Sequence, residues 1–343
     1  MDNIMNITFF IGNGFDINLG LKTQYSCFYS FFKEHAKENN MIKEWIDGNE
    51  RLWADLEEKL GMELKKLTEE EIDKFYEDKE ELDRLLIEYL EIEQDKYIIN
   101  DDDIIKQEFS RSMIDFYDNL AINDKKSIEQ TLSTYASENY IYCYITFNYT
   151  NVLDKIVGLY QQSKVIECHE WAGRKRNSII GNVIHIHGTT NEEMILGVND
   201  ESQINNEILK RDSIFMDTFI KKRMNYCIGQ NKTENVVKII QESHIICVFG
   251  MSIGNTDKIW WEEIIKWLVS DSDNKLIIYW KGYEEILKKK IPSTTIRLNE
   301  KIRRNIFEKG KGKMNDSHYL NIKERIIISY NSSIFSLTKA NEK

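Results

Sequence analysis

The chain has a single proline among its 343 residues, and it contains no internal repeat or low-complexity linker. Few helices can therefore be broken by proline. The five cysteines are odd in number and form no Cys-x-x-Cys pair, which argues against a disulfide framework and against structural zinc. Most of them lie within apolar runs, so we expect reduced, buried thiols, as is usual in the cytoplasm. The cysteines are Cys27, Cys143, Cys168, Cys227 and Cys247.

Long apolar runs are also missing. None approaches the roughly 20 residues that a membrane-spanning helix needs. The N-terminus has neither the basic start nor the cleavage site of a secretory signal. With 41% apolar and 30% charged residues, the composition is typical of globular proteins. We therefore expect a soluble, cytoplasmic protein without membrane contact.

The net charge of −11 is concentrated in one segment. Residues 62–103 contain 17 acidic and 6 basic side chains, which accounts for the whole excess. This segment is expected to be a solvated acidic face, and the rest of the chain should not repel an anionic ligand. Residues 286–313 are basic by contrast, but with Phe307 as their single aromatic residue they lack the aromatic interleaving that supports base stacking. Nucleic acid is thus the less favoured partner.

Short apolar runs alternate with helical patterns along most of the chain, which predicts an α/β fold with a parallel sheet. The segment 28–136 is helical throughout and would be a large acidic insertion into a core of residues 1–27 and 137–343. Helices are also expected at 152–161 and 256–269, the second capped by Asn255 or Thr256. The predicted strands are 7–11, 141–147, 165–168, 179–187, 194–198, 245–249, 276–280 and 325–330.

Four polar clusters each follow an apolar run. In an open α/β sheet, ligands bind where the strands end at their carboxyl edge. The first cluster, Gly-Asn-Gly-Phe-Asp, would turn sharply after its strand and bring free N–H groups close to a phosphate. The clusters are residues 12–16, 146–150, 185–188 and 250–255.

Each cluster also has a purely structural interpretation. Asn148 can cap the helix that follows it, and Asp16 can cap the helix after the first strand. His187 can be a histidine at a strand end with all its hydrogen bonds made. Gly250 and Gly254 can serve only the turn between strand and helix. These alternatives stay open at the level of single motifs.

His185 and His187 could contribute to a metal site, because residues i and i+2 of a strand face the same side. Zinc needs one or two further ligands at suitable positions. Cys168 and His169 are candidates, but no recognisable spacing joins them to the pair. We therefore expect no metal.

In their order, the four clusters resemble the signatures of the sirtuin-like NAD-binding fold. More closely, the chain resembles the AbiH family of bacterial abortive-infection proteins, which defend cells against phage. This resemblance implies a sirtuin-like, Rossmann-type parallel sheet with a large α-helical insertion. The segments that carry it are residues 11–16, 20–25, 53–57, 147–150, 185–188, 196–200 and 249–252.

The resemblance also implies roles for individual residues. The first glycine loop would hold the NAD pyrophosphate, and the turn at Gly250 would meet the adenosine ribose. Asn148 and His187 would be the catalytic pair, with Asp16 beside them, and we expect both to face a single cavity floored by the first glycine turn. The residues implied in binding NAD are Gly12, Asn13, Gly14, Phe15, Thr23, Gly250, Ser252 and Asn255.

The sequence departs from the sirtuin pattern in ways that bear on the reaction. Asn13 replaces a small residue, Asp16 replaces a serine, and Thr150 replaces an aspartate. There is no four-cysteine zinc ribbon. These departures favour hydrolysis or binding of NAD over protein deacylation.

Together these features predict an effector that hydrolyses NAD at the nicotinamide–ribose bond. Asn148 would orient the attacking water, and His187 would bind a ribose hydroxyl or act as base, since a histidine pKa lies close to working pH. Asp16 would accept from a ribose hydroxyl or stabilise positive charge. Trp53 and Glu57 would lie in one helix. Trp53 would pack over the cleft, and Glu57 would reach the site.

Such an enzyme needs a resting state, so we expect control by homo-oligomerisation, by the acidic insertion or by a phage-derived trigger. Two other hypotheses remain from different classes. One is a non-catalytic sensor of a nucleotide, and the other is a nucleic-acid-acting toxin that uses residues 286–313.

Overall fold

The computed structural model describes residues 4–47, 50–53, 55–230 and 232–339. Within them, seven strands form one sheet in the order β3-β4-β2-β1-β5-β6-β7. All neighbouring strands are parallel except β3 and β4, which form an antiparallel hairpin at one edge. The strands are β1 (Ile4–Ile11), β2 (Asn139–Thr146), β3 (Val165–Trp171), β4 (Arg174–His185), β5 (Ile245–Phe249), β6 (Lys275–Trp280) and β7 (Ile326–Tyr330).

The predicted α/β fold is confirmed, with a mostly parallel, Rossmann-like sheet. Seven of the eight predicted strands are present. The exception is 194–198, which forms no strand and makes only an isolated bridge between Val198 and Ile220. Its apolar residues are buried against helices instead, so burial rather than strand pairing explains the pattern.

The sheet is covered by helices on both faces, which is why its central strands are apolar without alternation. In β1, Ile7 and Phe9 face one layer and Phe10 faces the other. The helices are α1 (Gly14–Asn18), α2 (Tyr25–His35), α3 (Met41–Ile46), α4 (Leu56–Glu63), α5 (Ile72–Gln94), α6 (Asp102–Ile114), α7 (Ile122–Thr134), α8 (Val152–Gly158), α9 (Ser213–Phe219), α10 (Lys221–Cys227), α11 (Lys232–Glu242), α12 (Lys258–Ser270), α13 (Glu284–Leu287), α14 (Pro292–Gly310) and α15 (Asp316–Ile322).

Helices α6, α7 and α8 pack on one face, and α11, α12, α14 and α15 pack on the other. The predicted helices at 152–161 and 256–269 correspond to α8 and α12. The expected cap of α12 is wrong. Its N-cap is Asp257, whose side chain makes no capping hydrogen bond, while Asn255 and Thr256 precede it.

The helical segment 28–136 packs in two parts. Its earlier helices α2–α5 form an apolar cluster of their own with α9 and the loop 194–204. Its later helices α6 and α7 lie directly on the sheet. The first part thus stands beside the carboxyl edge as a helical cap, and the second belongs to the layer that covers the strands.

The acidic segment is expected to be a solvated face, but several of its carboxylates are buried. Asp78, Glu81 and Glu93 of α5 are buried. Asp78 accepts from the Met41 amide at 2.9 Å, and Glu93 accepts from the Lys22 amide at 3.0 Å. These carboxylates therefore fasten neighbouring segments onto α5, which compensates for their burial.

The cysteines are all free, but only Cys247 is buried, and Cys168 and Cys227 are exposed. The expectation of buried thiols is thus wrong for those two. No helix in the described ranges is both long and apolar enough to cross a membrane.

Candidate functional site

The loops after β1 and β5 cross in close contact at the carboxyl edge of the sheet. The Gly12 amide donates to the Phe249 carbonyl at 2.9 Å, and the Gly14 amide donates to the Gly250 carbonyl at 3.0 Å. A Cβ on Gly12 would lie 2.5 Å from the Gly250 oxygen, and Gly250 itself has φ +67°. These glycines are required because two backbones meet there.

This crossing corrects the expected phosphate loop. The amides of Gly12 and Gly14 are not free, since each already donates to a carbonyl of the neighbouring loop. Helix α1 behind them is only five residues long. The first glycine motif therefore builds the floor of a site, and its two glycine amides are not free for a ligand.

A cavity of about 500 Å³ opens above this crossing. Loops after β1, β2, β4 and β5 border it, together with the start of α4 and of α10. Of the residues predicted from sequence, it contains Gly12, Asn13, His187, Gly250 and Ser252. Its other lining residues are Gln24, Tyr25, Asp55, Glu57, Phe147, Tyr149, Lys221, Met251, Ile253, Gly254, Thr256 and Asp257.

Four charged or titratable side chains form a continuous chain in this cavity. The Lys221 ammonium lies 2.6 Å from Oε2 of Glu57, and both side chains are buried. Lys221 Nζ is also 3.5 Å from Nε2 of His187, which in turn is 3.9 Å from Oδ1 of Asp257. We name Glu57, Lys221, His187 and Asp257 the charged cluster.

His187 is a neutral imidazole within this cluster. Burial lowers its pKa to about 3, and the positive charge of Lys221 acts in the same direction. The expectation of a pKa near working pH is therefore wrong. The contact with Asp257 is consequently not an ion pair, and His187 Nδ1 is buried without a partner among the described residues.

Burial has the opposite effect on the two carboxyl groups. It raises the pKa of Glu57 and of Asp257, and the charge of Lys221 counteracts the rise in both. Carboxyl groups with raised pKa values take up and release protons at a higher pH than exposed ones. That property suits general acid–base chemistry.

Glu57 is positioned by the helical cap. Helix α4 begins directly after Asp55, whose side chain accepts from the Glu58 amide at 3.1 Å and so caps the helix. Leu56 and Leu60 are buried in the interior of the helical cap. Trp53, at the end of the preceding 3₁₀ turn, is buried there too. Glu57 therefore projects into the cavity, as expected, although Trp53 and Asp55 precede the helix rather than belong to it.

Asn148 and Asp16 lie in a different place from the charged cluster. Asn148 Nδ2 donates to Oδ1 of Asp16 at 3.0 Å, and Thr150 Oγ1 donates to Oδ2 at 2.6 Å. All three side chains are buried. They line a smaller cavity of about 90 Å³ that shares Asn13, Tyr25, Phe147 and Tyr149 with the larger one. We name Asp16, Asn148 and Thr150 the closed cluster.

Two expectations change as a result. Asn148 and His187 were predicted to face a single cavity, but Asn148 does not line the one that His187 lines. Neither helix-capping alternative holds, because Asn148 is followed by an N-cap at Asn151 and Asp16 lies inside α1. Burial raises the pKa of Asp16 to about 6, although the two hydrogen bonds that Asp16 accepts act to lower it.

The other residues predicted to bind NAD lie outside the larger cavity. Phe15 is fully buried in the core and packs on Phe335. Thr23 is buried beside the smaller cavity and donates its hydroxyl to the Asn13 side chain. Gly14 borders a third cavity of about 390 Å³ on the far side of Gly250. Asn255 is exposed and donates to Glu58 at 2.6 Å.

The two histidines of the third motif have separate surroundings. His185 is 2.7 Å from Oδ2 of Asp154 and 2.9 Å from the Asn148 carbonyl oxygen. His187 instead faces Lys221. Across the described residues, no group of three or more histidine, cysteine or acidic side chains is arranged to hold a metal ion.

Sequence reasoning missed Lys221 and Asp257. Asp257 lies two residues after the end of the fourth cluster, so its position after β5 was an available signal. Lys221 belongs to no motif and reaches Glu57 across a separation of 164 residues. Only its burial marks it, and burial of a single lysine cannot be deduced from one sequence.

Comparisons with known proteins add one match. The family model described as "Bacteriophage abortive infection AbiH" matches residues 8–280. The match runs from β1 through β6 and includes every residue of both clusters. A comparison with the curated proteins finds no match.

Proposed function

This chain belongs to the AbiH family of bacteriophage abortive-infection proteins, and on that premise we propose that it is a defence effector that hydrolyses NAD. The bond cleaved joins nicotinamide to ribose. Water adds to the ribose carbon, neutral nicotinamide leaves, and ADP-ribose and one proton are the other products. The larger cavity at the carboxyl edge of the sheet is the proposed site.

The observation that carries the proposal is the charged cluster in one open cavity. Cleavage of this bond passes through an oxocarbenium-like state, which a nearby carboxylate stabilises. Glu57 and Asp257 supply two carboxyl groups to the lining of the cavity. One can stabilise the developing cation, and the other can accept the proton of the attacking water.

His187 and Lys221 take supporting roles in this proposal. The uncharged His187 can donate to or accept from a ribose hydroxyl without adding positive charge next to the developing cation. Burial keeps His187 neutral and Lys221 acts in the same direction, while the Lys221 ammonium also balances the charge of Glu57. Asn148 contributes indirectly, because its hydrogen bond to Asp16 fixes the loop that carries Phe147 and Tyr149 into the cavity.

The alternative of a nucleic-acid toxin has less support from the contacts. In the basic segment, Arg303 donates to the Ile326 carbonyl at 2.8 Å, and Arg304 pairs with Asp316 at 2.5 Å. Both arginines thus hold α14 to its neighbours. A sensor that binds NAD without cleaving it uses the same cavity, and the experiment below separates it from an enzyme.

The test incubates purified protein with NAD, alone and with lysate from phage-infected cells, and measures nicotinamide by chromatography. Lysate supplies any phage-derived trigger. We expect release with the wild type and with the exposed-site control His35→Gln, and a loss of at least about 100-fold with His187→Gln. NAD binding without nicotinamide release in both conditions would indicate a sensor. Nicotinamide release by His187→Gln equal to that of the wild type would show that the larger cavity is not the site of the reaction.

A further inference from the structure

The two carboxyl groups of the charged cluster lie at the starts of two different helices. Glu57 is in the first turn of α4, and Asp257 is the N-cap of α12. Buried side chains of α4, such as Leu56, belong to the apolar cluster of the helical cap, whereas those of α12, such as Trp261, belong to a layer on the sheet. Among the described residues, the two helices share no apolar cluster, so the distance between the two carboxyl groups depends on other contacts.

A buried hydrogen bond joins the two helix starts. Thr256 Oγ1 donates to Oδ2 of Asp55 at 3.1 Å, and Thr256 is only 5% exposed. The other oxygen of Asp55 accepts from the Glu58 amide at 3.1 Å and so caps α4. One carboxylate thus ties the residue directly before Asp257 to the turn that carries Glu57.

Asn255 makes a second connection beside the first. Its Nδ2 donates to Oε1 of Glu58 at 2.6 Å, and its Oδ1 accepts from Lys309 of α14. Its carbonyl oxygen accepts from Asn199 Nδ2 at 2.7 Å. These contacts are exposed, so water competes with them more than with the buried bond of Thr256. We name Asp55, Glu58, Asn255 and Thr256 the clasp.

We propose that the clasp positions Asp257 relative to Glu57, and that Thr256 is its principal positioning residue. The inference rests on the reaction proposed above. In enzymes that cleave a bond to an anomeric carbon, the separation of two carboxyl groups decides whether a water molecule fits between them. A misplacement of about 1 Å is enough to lower a rate by about 10²-fold. The clasp therefore determines whether both carboxyl groups act on one bound ribose.

Nicotinamide release at varied NAD concentration provides the first test. Thr256→Val removes the hydroxyl at nearly constant volume, so kcat should fall by about 10²-fold with little change in KM, because Thr256 acts through the carboxyl groups and not on the substrate. Thr256→Ser keeps a hydroxyl and should retain most of the rate. Thr131→Val, at another buried threonine, is the matched control and should equal the wild type.

A double variant tests whether Thr256 acts through Asp55. Asp55→Ala removes the acceptor of the Thr256 hydroxyl and should itself lower kcat. Adding Thr256→Val to Asp55→Ala should lower kcat little further, because the contact between the two side chains is already lost. Independent, multiplying losses would overturn the assignment.

The ring of His187 gives a measurement that needs no reaction. Its Nε2 lies 3.9 Å from Oδ1 of Asp257, so a displacement of Asp257 should change the His187 ring signals in NMR spectra recorded without NAD. We expect this change in Thr256→Val and not in Thr256→Ser or Thr131→Val. If the wild type releases no nicotinamide, the proposed reaction fails, and these signals still decide whether the clasp positions Asp257. Unchanged His187 signals or an unchanged kcat in Thr256→Val would overturn the proposal, as would a rise in KM alone.

Discussion

The two cavities at the carboxyl edge of the sheet are walled by the same loops, yet their polar groups are arranged for different purposes. In the closed cluster, Asp16 accepts from both Asn148 and Thr150 inside a space of about 90 Å³, and Asn148 Oδ1 is buried without a partner among the described residues. The charged cluster faces a cavity of about 500 Å³ and leaves His187 Nδ1 without a partner. A polar residue after a strand is therefore part of either the scaffold or the chemistry, and the direction of its side chain decides which.

The clusters also differ in where their charge comes from. The closed cluster contains only residues of the first two motifs. The charged cluster receives Glu57 from the helical cap, Lys221 from α10 and Asp257 from the loop after β5. Sequence motifs thus define the place of the site, and side chains from distant segments define its charge.

The largest expected effect is on catalysis. Glu57→Gln should lower the rate of nicotinamide release by about 10²–10⁴-fold, because it removes a proton acceptor and charge stabiliser from the cavity. Glu58→Gln is the control, since the Glu58 side chain accepts from Asn255 and does not line the cavity. Asn148→Ala should reduce the rate much less than Glu57→Gln. The reverse order would exchange the roles assigned to the two clusters.

The next effect concerns stability. Lys221→Met should lower the free energy of unfolding by about 3–5 kcal/mol, because Glu57 is left buried without its cation. Adding Glu57→Leu to that variant should recover most of the loss without recovering activity. Denaturant titration measures both, and Lys222→Met at the neighbouring exposed position is the control. A wild-type midpoint for Lys221→Met would mean that the pair is not buried.

A smaller effect is expected at the loop crossing beneath the larger cavity. Gly12→Ala should cost about 1–3 kcal/mol, since the added Cβ would lie 2.5 Å from the Gly250 oxygen. Gly158→Ala, where the nearest atom is 3.8 Å away, is the matched control. Thermal unfolding compares the two variants. Equal shifts of the unfolding temperature in the two variants would mean that the loops after β1 and β5 do not meet as described.

The smallest effects are pH dependences of opposite sign. Between pH 3.8 and about 6, the folded state binds more protons at Asp16 than the unfolded state, so this residue lowers stability as pH rises. Between about pH 3 and 6.5, the folded state binds fewer protons at His187, so this residue raises stability as pH rises. Each contributes at most about 1.4 kcal/mol per pH unit.

Two variants separate these contributions. From about pH 4 to 6, Asp16→Asn should make the free energy of unfolding rise more steeply with pH than in the wild type. His187→Gln should make it rise less steeply or fall. Urea titrations at three or more pH values measure the slopes. Changes of the same sign in both variants would mean that burial does not disfavour the charged forms of both side chains.

The sequence allowed the sheet and the edge that carries the larger cavity to be predicted, because buried parallel strands such as 7–11 and 245–249 are almost entirely apolar runs. It did not distinguish strand from buried loop at 194–198, where the same burial occurs without pairing. It located Asn148 and His187 after neighbouring strands but not the direction of their side chains. Lys221 could not be predicted, since its role depends on a contact made only in three dimensions.

The most direct test of the central claim observes the six histidines by NMR while ADP-ribose, the proposed product, is added. His187 reports on the charged cluster, and His185 reports on the closed cluster through its 2.9 Å contact with the Asn148 carbonyl. We predict a large shift of the His187 ring signals and little change at the distant His244. A response at His185 without one at His187, or no response at any histidine, would contradict the account.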